Sequence, residues 1–433
     1  MAQTLMGVSM SSNRKRLLSN FISLSGVRIA GFIFPLITLP YLVRVLGPEK
    51  FGLIAFAQGL IQYFVIITDY GFNLSATREI SINRNDIKKI SEIFYSVILV
   101  KLVLTIISFV ILSLIVFSWS KFRIDWQIYF LTFGVVVGQV IFPIWFFQGM
   151  EKMKYIAGLN ILTKFVFTIA VFVFIHKESD YLWMPILYSF GFILSGVLGL
   201  WFALYSFKII FVFPSYNEIV HQLKEGWHIF ISTVAMSFYT TSNIVILGFF
   251  TNNTIVGYYS GGEKIVRAIQ YGLLYPLSQT IYPHIGKLAH ESKEAALVFV
   301  RKVIGLVGIP VLCVSVALLV FAPSISNIVL TRKFEESIPV MCILAPSIFV
   351  IFLNNLFGIQ IMLNFGYQAS FQKIVLIGGA INIVLVIILS IMFQHIGVAI
   401  AGLIMETYIT CHELVFLYHK GIKFSFNFSK QSI

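Results

Sequence analysis

Residues 91–118 read SEIFYSVILVKLVLTIISFVILSLIVFS, and within that stretch only Glu92 and Lys101 carry charge. A helix crosses the hydrocarbon core of a bilayer with about 20 mainly apolar residues, and this run is long enough. It lacks the strict alternation of a barrel strand. Lipid offers no partner to an unsatisfied backbone amide, so such a segment crosses as a helix.

The same texture recurs along the whole chain. Of 433 residues, 58% are hydrophobic and 11% charged, and 43 are Phe. The mean hydropathy is +0.91. Soluble domains carry roughly 25% charged residues, so this chain has too little charge to cover a water-soluble body of its size. Spans are expected over 17–45, 51–72, 91–118, 126–149, 154–176 and 181–206. A second group is expected over 227–250, 254–283, 298–322, 337–363, 367–394 and 396–419. The fold class is therefore an all-α integral membrane protein of about twelve transmembrane helices.

Loop charges orient these spans. With the N-terminus inside, one side collects Arg14, Lys15, Arg16, Arg78, Arg84, Lys88, Lys89, Lys152, Lys154, Lys208 and Lys224. Lys287, Lys293, Arg301, Lys302, Lys420, Lys423 and Lys430 bring that side to 18. The other side has Arg44, Lys50, Lys121, Arg123, Lys177, Arg332 and Lys333, which is 7. Positive loops stay cytoplasmic, so both termini are expected inside. The net charge of +13 follows from topology, and no nucleic-acid partner is expected. The polar, basic N-terminus runs into a full-length span without a cleavage site, so no removable leader is expected. Cys313, Cys342 and Cys411 fall within spans, are odd in number and lack metal-ligand spacing; they read as small apolar residues.

The chain divides near its midpoint. FKIIFVFPSYNEIVHQLKEG (207–226) is partly polar, contains Pro214 and leaves six spans on either side. It is expected to be a cytoplasmic linker between an N-terminal lobe (1–206) and a C-terminal lobe (227–433). A six-plus-six plan suggests a duplicated transporter. A faint repeat agrees: YLVRVLGPEKFGLIAFAQGL (41–60) and IVILGFFTNNTIVGYYSGGEK (244–264) each place a polar turn before a Gly, Gly52 or Gly257, that opens a helix.

Two blocks carry a family resemblance. PLITLPYLVRVLGPEKFGLIAFAQGLIQYFVIITDYGFNLSATREI (Pro35 to Ile80) and PIWFFQGMEKMKYIAGLNI (Pro143 to Ile161) closely resemble bacterial polysaccharide flippases of the O-antigen or Wzx type. These belong to the superfamily of lipid II flippases and multidrug and toxin extruders. LPYLVRVLG, FG, DYGF, ATRE and W-x-FQG-x-E occur in the family's order, while the second half resembles the family in hydropathy and length. The resemblance implies a V-shaped transporter of two six-helix lobes in the bacterial inner membrane. Its substrate would be an oligosaccharide repeat unit on undecaprenyl diphosphate, moved from the cytoplasmic to the periplasmic leaflet. It implies further partners in membrane lipid, a polysaccharide polymerase and a chain-length regulator, and coupling to H+ or Na+.

An ionisable residue at bilayer depth costs roughly 2.5–3.5 kcal/mol on insertion scales, so each one asks for a reason. Arg28, Lys101, Lys164, Glu263, Lys264, Arg267 and Glu406 fall near the middle of spans, and five of these seven are cationic. A diphosphate leaving water needs charge-assisted partners, for which the Arg fork is the best geometric match. Arg28, Arg267, Lys264, Lys101 and Lys164 are thus the candidate substrate-binding residues. Against this, Glu263 and Arg267 are spaced to pair along one helix, leaving Lys264 to Glu406 or solvent. Lys101 and Lys164 have stems long enough to snorkel. For ion coupling, Glu406 and then Glu263 are the candidates, since a buried carboxylate exchanges protons near neutrality. Asp69 is a third, although it can instead cap its loop or pair with Arg78. Buried amides such as Asn243, Asn354, Asn355, Gln360 and Asn382 can bind sugar hydroxyls or simply join helices.

No Gly-Lys-Ser/Thr loop is present, so no nucleotide cofactor is expected, and no catalytic or metal cluster is evident. An organic-cation exporter of the same plan is the alternative, but its cavity should favour acidic or apolar linings. A polymerase or ligase would need a sizeable outward loop, and the expected outward loops are short; an enzyme is not expected.

Overall fold

The computed structural model describes the backbone of residues 2–422 and, within that range, the side chains of all but residues 2–30, 32, 33 and 238–240. The described residues form helices and turns, with no strand. In chain order the helices are α1 (Ala2–Asp69), α2 (Phe72–Ile82), α3 (Ile87–Ser118), α4 (Ser120–Ile124), α5 (Trp126–Ile141) and α6 (Ile144–Gly149). They continue with α7 (Met153–Phe174), α8 (Trp183–Ser206), α9 (Tyr216–Thr240), α10 (Ser242–Phe250), α11 (Asn253–Glu291) and α12 (Lys293–Val329). Then α13 (Ser337–Asn354) runs directly into a π-helical turn (Asn355–Leu363), and α14 (Gln368–His419) closes the chain.

Among the described residues, eight helical segments, or nine if α9 and α10 form one interrupted span, are long and apolar enough to cross a membrane. Two of them contain a break. Helix α1 is broken at Gly47 (φ 66°, ψ 177°), where glycine meets the positive φ and Pro48 follows. Helix α14 is broken at Gln394 (φ 51°, ψ −129°). Straight, its 52 residues would extend about 78 Å, more than twice the ~30 Å core. The breaks fall where the sequence placed turns between spans. Helix α3 displays the lipid side of such a span: Leu102, Val103, Ile106, Val110 and Leu114 are exposed, whereas Phe94, Val97 and Leu112 are buried.

The chain forms two compact units. Residues 1–46 and 56–237 make unit 1, and residues 47–55 and 238–433 make unit 2. Unit 1 is built around an aromatic core in which Phe72, Phe94, Trp145, Phe146 and Phe147 are all nearly inaccessible. The stretch 207–226 is extended only over 209–215 and is helical from Tyr216. That helix start is held within unit 1, where Lys89 meets Glu218 at 2.7 Å and Glu79 meets His221 at 2.8 Å.

In unit 2 the two copies of the faint repeat pack on each other. A methyl group added at Gly52 would lie 1.9 Å from the Asn253 carbonyl oxygen, and one at Gly257 would lie 2.0 Å from that of Pro48. Two backbones touch here, and only glycine permits it.

Candidate functional site

Unit 2 contains a cavity of about 370 Å³ lined from α10, α11, α13, the π-helical turn and α14. Its polar side comes mainly from α11. Tyr259, Glu263 and Arg267 recur every four residues, which places them one above another on a single helix face. They form a chain of hydrogen bonds. Asn382 donates to Asn243 Oδ1 (2.9 Å), and Asn243 donates to the Tyr259 hydroxyl (3.3 Å). Tyr259 donates to Glu263 Oε1 (3.2 Å), which also receives Arg267 Nε (3.0 Å) and Nη2 (2.8 Å). The chain thus runs from a fully buried amide to a guanidinium with 38% side-chain exposure. Gln270 adds a bond to Ser347 (2.9 Å), and Glu406 accepts from Asn354 at 3.3 Å on the opposite wall. Gly402 lies on that wall too, next to Asn243 and Leu344. A half-exposed Arg beside amides and hydroxyls can bind an anion or sugar hydroxyls; the two carboxylates can bind a cation or a proton.

The candidate residues from sequence are placed as follows. Glu263, Arg267 and Glu406 all line this cavity. Lys264, one residue along α11, instead lies over the ring of Phe51, 4.5 Å from its centroid. Lys101 is 3% exposed in unit 1 and pairs with Asp69 at 3.4 Å. Lys164, on α7, sits against α1, where a methyl at Gly31 would come within 3.2 Å of its Nζ. Arg28 belongs to α1, but its side chain lies outside the described residues. The unit 2 cavity therefore collects one cation and two carboxylates rather than a cluster of cations. No group of three metal-ligating side chains occurs among the described residues.

Comparison with known proteins gives this architecture a relationship. Residues 17–289 match the family described as polysaccharide biosynthesis protein. That match covers well over half of the chain. The chain belongs to the polysaccharide biosynthesis protein family. A relative in Escherichia coli (strain K12), named "Putative O-antigen transporter", is 33% identical over 94% of this chain and 98% of its own length. Among solved structures, an inward-facing multidrug resistance MATE family transporter of the MOP superfamily superposes with a TM-score of 0.66 at 15% identity. That likeness covers 93% of this chain and 98% of that one. The lipid II flippase MurJ in an inward closed conformation gives the same TM-score and identity, covering 93% and 87%. The fold is the one these transporters share, in a multi-pass membrane protein whose relatives are named as transporters and not as enzymes.

Within this family member, the motifs that carried the resemblance mostly build a scaffold in unit 1. Asp69 of DYGF holds Lys101, and Tyr70 and Gly71 turn the chain with φ of 49° and 81°. Thr77 of ATRE donates to the Trp145 carbonyl (3.1 Å), while Arg84 donates to the Gly149 carbonyl and pairs with Glu151, both at 2.7 Å. Gly149 lets α6 approach α2, since a methyl there would lie 2.6 Å from Ile80.

Two residues of unit 2 escaped the sequence reading. Tyr259 links Asn243 to Glu263, and its four-residue spacing from Glu263 was the available signal. Glu413 is completely buried near the end of α14. Its place near the end of the expected span 396–419 gives no sequence signal of burial, since carboxylates there are ordinarily solvated.

Proposed function

We propose that this protein is a flippase for an undecaprenyl-diphosphate-linked oligosaccharide repeat unit of O-antigen or a related surface polysaccharide. It carries the unit from the cytoplasmic to the periplasmic leaflet of a bacterial inner membrane. The observation that carries this reading is the near full-length similarity to a relative named as an O-antigen transporter, together with a polar cavity inside an otherwise apolar helical unit. Arg267 is the anion ligand of that cavity, and Gln270, Asn243 and Asn355 are its sugar-facing amides. Arg28, Lys264, Lys101 and Lys164 are secondary candidates. Lys101 is the weakest of them, being committed to Asp69.

The topology that fits is twelve spans with both termini cytoplasmic. Dividing α1 at Gly47 and α14 at Gln394, joining α9 to α10, and admitting α11, whose charges make it less apolar, gives that number. Two lobes (1–206 and 227–433) about the stretch 207–226 follow from the sequence plan. The partners that fit are the lipid-linked substrate, bilayer lipid, a polymerase and a chain-length regulator. Coupling to H+ or Na+ is assigned to Glu406 or Glu263, with Asp69 occupied by Lys101.

One observation favours a second reading. Two carboxylates against one guanidinium suit an organic-cation exporter of the multidrug type. The deciding experiment is a clean deletion. A flippase predicts lipid-linked repeat units trapped on the cytoplasmic leaflet, loss of surface polysaccharide, and failure of Arg267→Met to restore it while Arg267→Lys restores it partly. Normal polysaccharide with raised sensitivity to cationic dyes would instead establish the exporter.

A further inference from the structure

Glu413 is the least explained polar residue in the described structure. Its accessibility is zero, and neither carboxylate oxygen has a hydrogen-bond partner among the described residues. A purely structural position at that depth would be filled by an apolar side chain or a paired polar one, because a buried polar group without a partner is costly. The surroundings are shaped to hold it. Gly358, in the π-helical turn, leaves room for the carboxyl: a methyl there would lie 2.4 Å from Glu413 Oε1 and 2.5 Å from the Phe371 ring. π-helical geometry is rare and frequently marks functional sites, and this nine-residue stretch also brings in Gln360, fully buried, with its own side-chain oxygen unpartnered among the described residues.

Among the described residues no cation pairs with the carboxyl: Lys420, seven residues on and just past the end of α14, and Lys293 of α12 are exposed and lie over the rings of Phe416 and Tyr367. Helix α13 has no acidic or basic side chain between Ser337 and Asn354, and the π turn has none between Asn355 and Leu363. On the first half of α14, Lys373 is exposed. Helix α11 reaches the π turn through Ser278, which accepts from Gln360 at 2.9 Å. Its titratable groups nearest that point are Tyr275, which lines the cavity, and Tyr282, which is 40% exposed. The acid that shares a face with Glu413 is Glu406, seven residues earlier on α14, about 10 Å along the helix. Between them Thr410 is buried, with its hydroxyl donating to the main-chain carbonyls of Glu406 (2.9 Å) and Val350 (3.3 Å). Glu406 in turn lines the cavity.

We propose that Glu413 is a proton-binding carboxyl, loaded and emptied from the side of Glu406, through which unit 2 responds to a proton gradient. A proton fits better than a metal cation. A hard cation requires several converging oxygen ligands, whereas the carboxyl has no polar partner among the described residues and shares the space over Gly358 with the Phe371 ring. This deepens the transport reading and rests on it for the coupling, though not for the proton site itself.

The test uses the full chain reconstituted in liposomes, as wild type, Glu413→Gln, Glu413→Asp and Glu406→Gln. Gln copies the shape of a protonated Glu, so Glu413→Gln should fold. Gly358→Ala, which presses on the carboxyl without removing it, is a second probe. Infrared difference spectra in light and heavy water should show a buried protonated-carboxyl band in wild type. The band should vanish in Glu413→Gln, shift in Glu413→Asp and Gly358→Ala, and persist in Glu406→Gln with slowed deuterium exchange. In parallel, translocation of an undecaprenyl-diphosphate-linked monosaccharide should lose its response to an imposed pH gradient in Glu413→Gln. An unchanged band in Glu413→Gln, or an undiminished gradient response, overturns the proposal. If the band behaves as stated but wild type moves no lipid-linked sugar, the proton site stands and the flippase reading falls.

Discussion

Lys101 and Asp69 offer the sharpest separation of a structural charge from a transport charge. The pair is 3.4 Å apart, and the side chains are 4% and 22% exposed. At an effective dielectric near 20, unit charges at that separation attract by about 5 kcal/mol before desolvation is counted. Breaking a buried pair from one side costs about 3–5 kcal/mol, because the remaining charge is stranded, whereas replacing both partners is often neutral. The unequal exposure makes the two single changes unequal. Lys101→Met strands Asp69, which retains some access to water, and should fall near about 3 kcal/mol. Asp69→Asn strands Lys101, which has almost none, and should fall nearer about 5 kcal/mol.

The double variant Lys101→Met/Asp69→Asn should return to within about 1 kcal/mol of wild type, a coupling large enough for a double-mutant cycle to resolve. Thermal unfolding in detergent, followed by the surviving monodisperse fraction, reads these values. Complementation of surface polysaccharide in a deletion strain reads transport from the same variants. If Lys101 serves only to hold Asp69 at the turn before Tyr70, the double variant restores both. Recovered stability without recovered transport would show Lys101 touching substrate, and costs that simply add would refute the ion pair as the source of either effect.

Other expectations follow from close contacts and backbone strain. Gly52→Ala and Gly257→Ala each drive a methyl into backbone and should each cost about 3 kcal/mol, the upper part of the overpacking range; the double variant should cost less than the sum, since one helix separation relieves both clashes, as melting curves would show. Gln394→Gly should leave transport intact and raise stability by about 1 kcal/mol, because a non-glycine residue at φ 51° stores strain of about 1–3 kcal/mol. Arg84→Ala removes two contacts at 2.7 Å but from a third-exposed side chain, so a loss of about 1–2 kcal/mol is expected by the same assay.

The apolar helices were legible because the bilayer demands a long apolar run, and such runs survive in the sequence wherever the packing is. Even the breaks showed: Gly-Pro at 47–48 and the polar Gln394–His395 interrupt otherwise continuous hydropathy. Side-chain partnership was less legible. Asp69 bonds to Lys101, 32 positions away, rather than to Arg78 nearby, and no local spacing announces that choice. Lys264 and Arg267 look equivalent on α11, yet at about 100° per residue they stand about 60° apart around the helix, which sends Lys264 to Phe51 and leaves Arg267, in line with Glu263, at the cavity. The repeat at Gly52 and Gly257 could be noticed as similarity, but that the copies touch requires coordinates. Glu413 illustrates the converse, since nearness to a span end gives no sign of a carboxyl that the fold leaves without accessible surface.

The polar chain in unit 2 explains how one arginine can remain available at the wall of an apolar bundle. An isolated Arg on a membrane helix would turn toward the nearest water by snorkelling. Here Glu263 fixes it, and Glu263 is itself oriented by Tyr259, which Asn243 and Asn382 hold in turn. Every link behind the arginine is buried and the last, Asn382, completely so, which sets the direction of the guanidinium from the buried end, on α14. A change at Asn382, which reaches the cavity only through Asn243, should therefore disturb Arg267 more than a change of similar size at Gln270, whose bond to Ser347 stands apart from the chain. Amides at bilayer depth usually join helices for about 0.6 kcal/mol apiece. These do so as well, and the same bonds aim a charge, so their value to the protein exceeds what a stability measurement on any one of them would record.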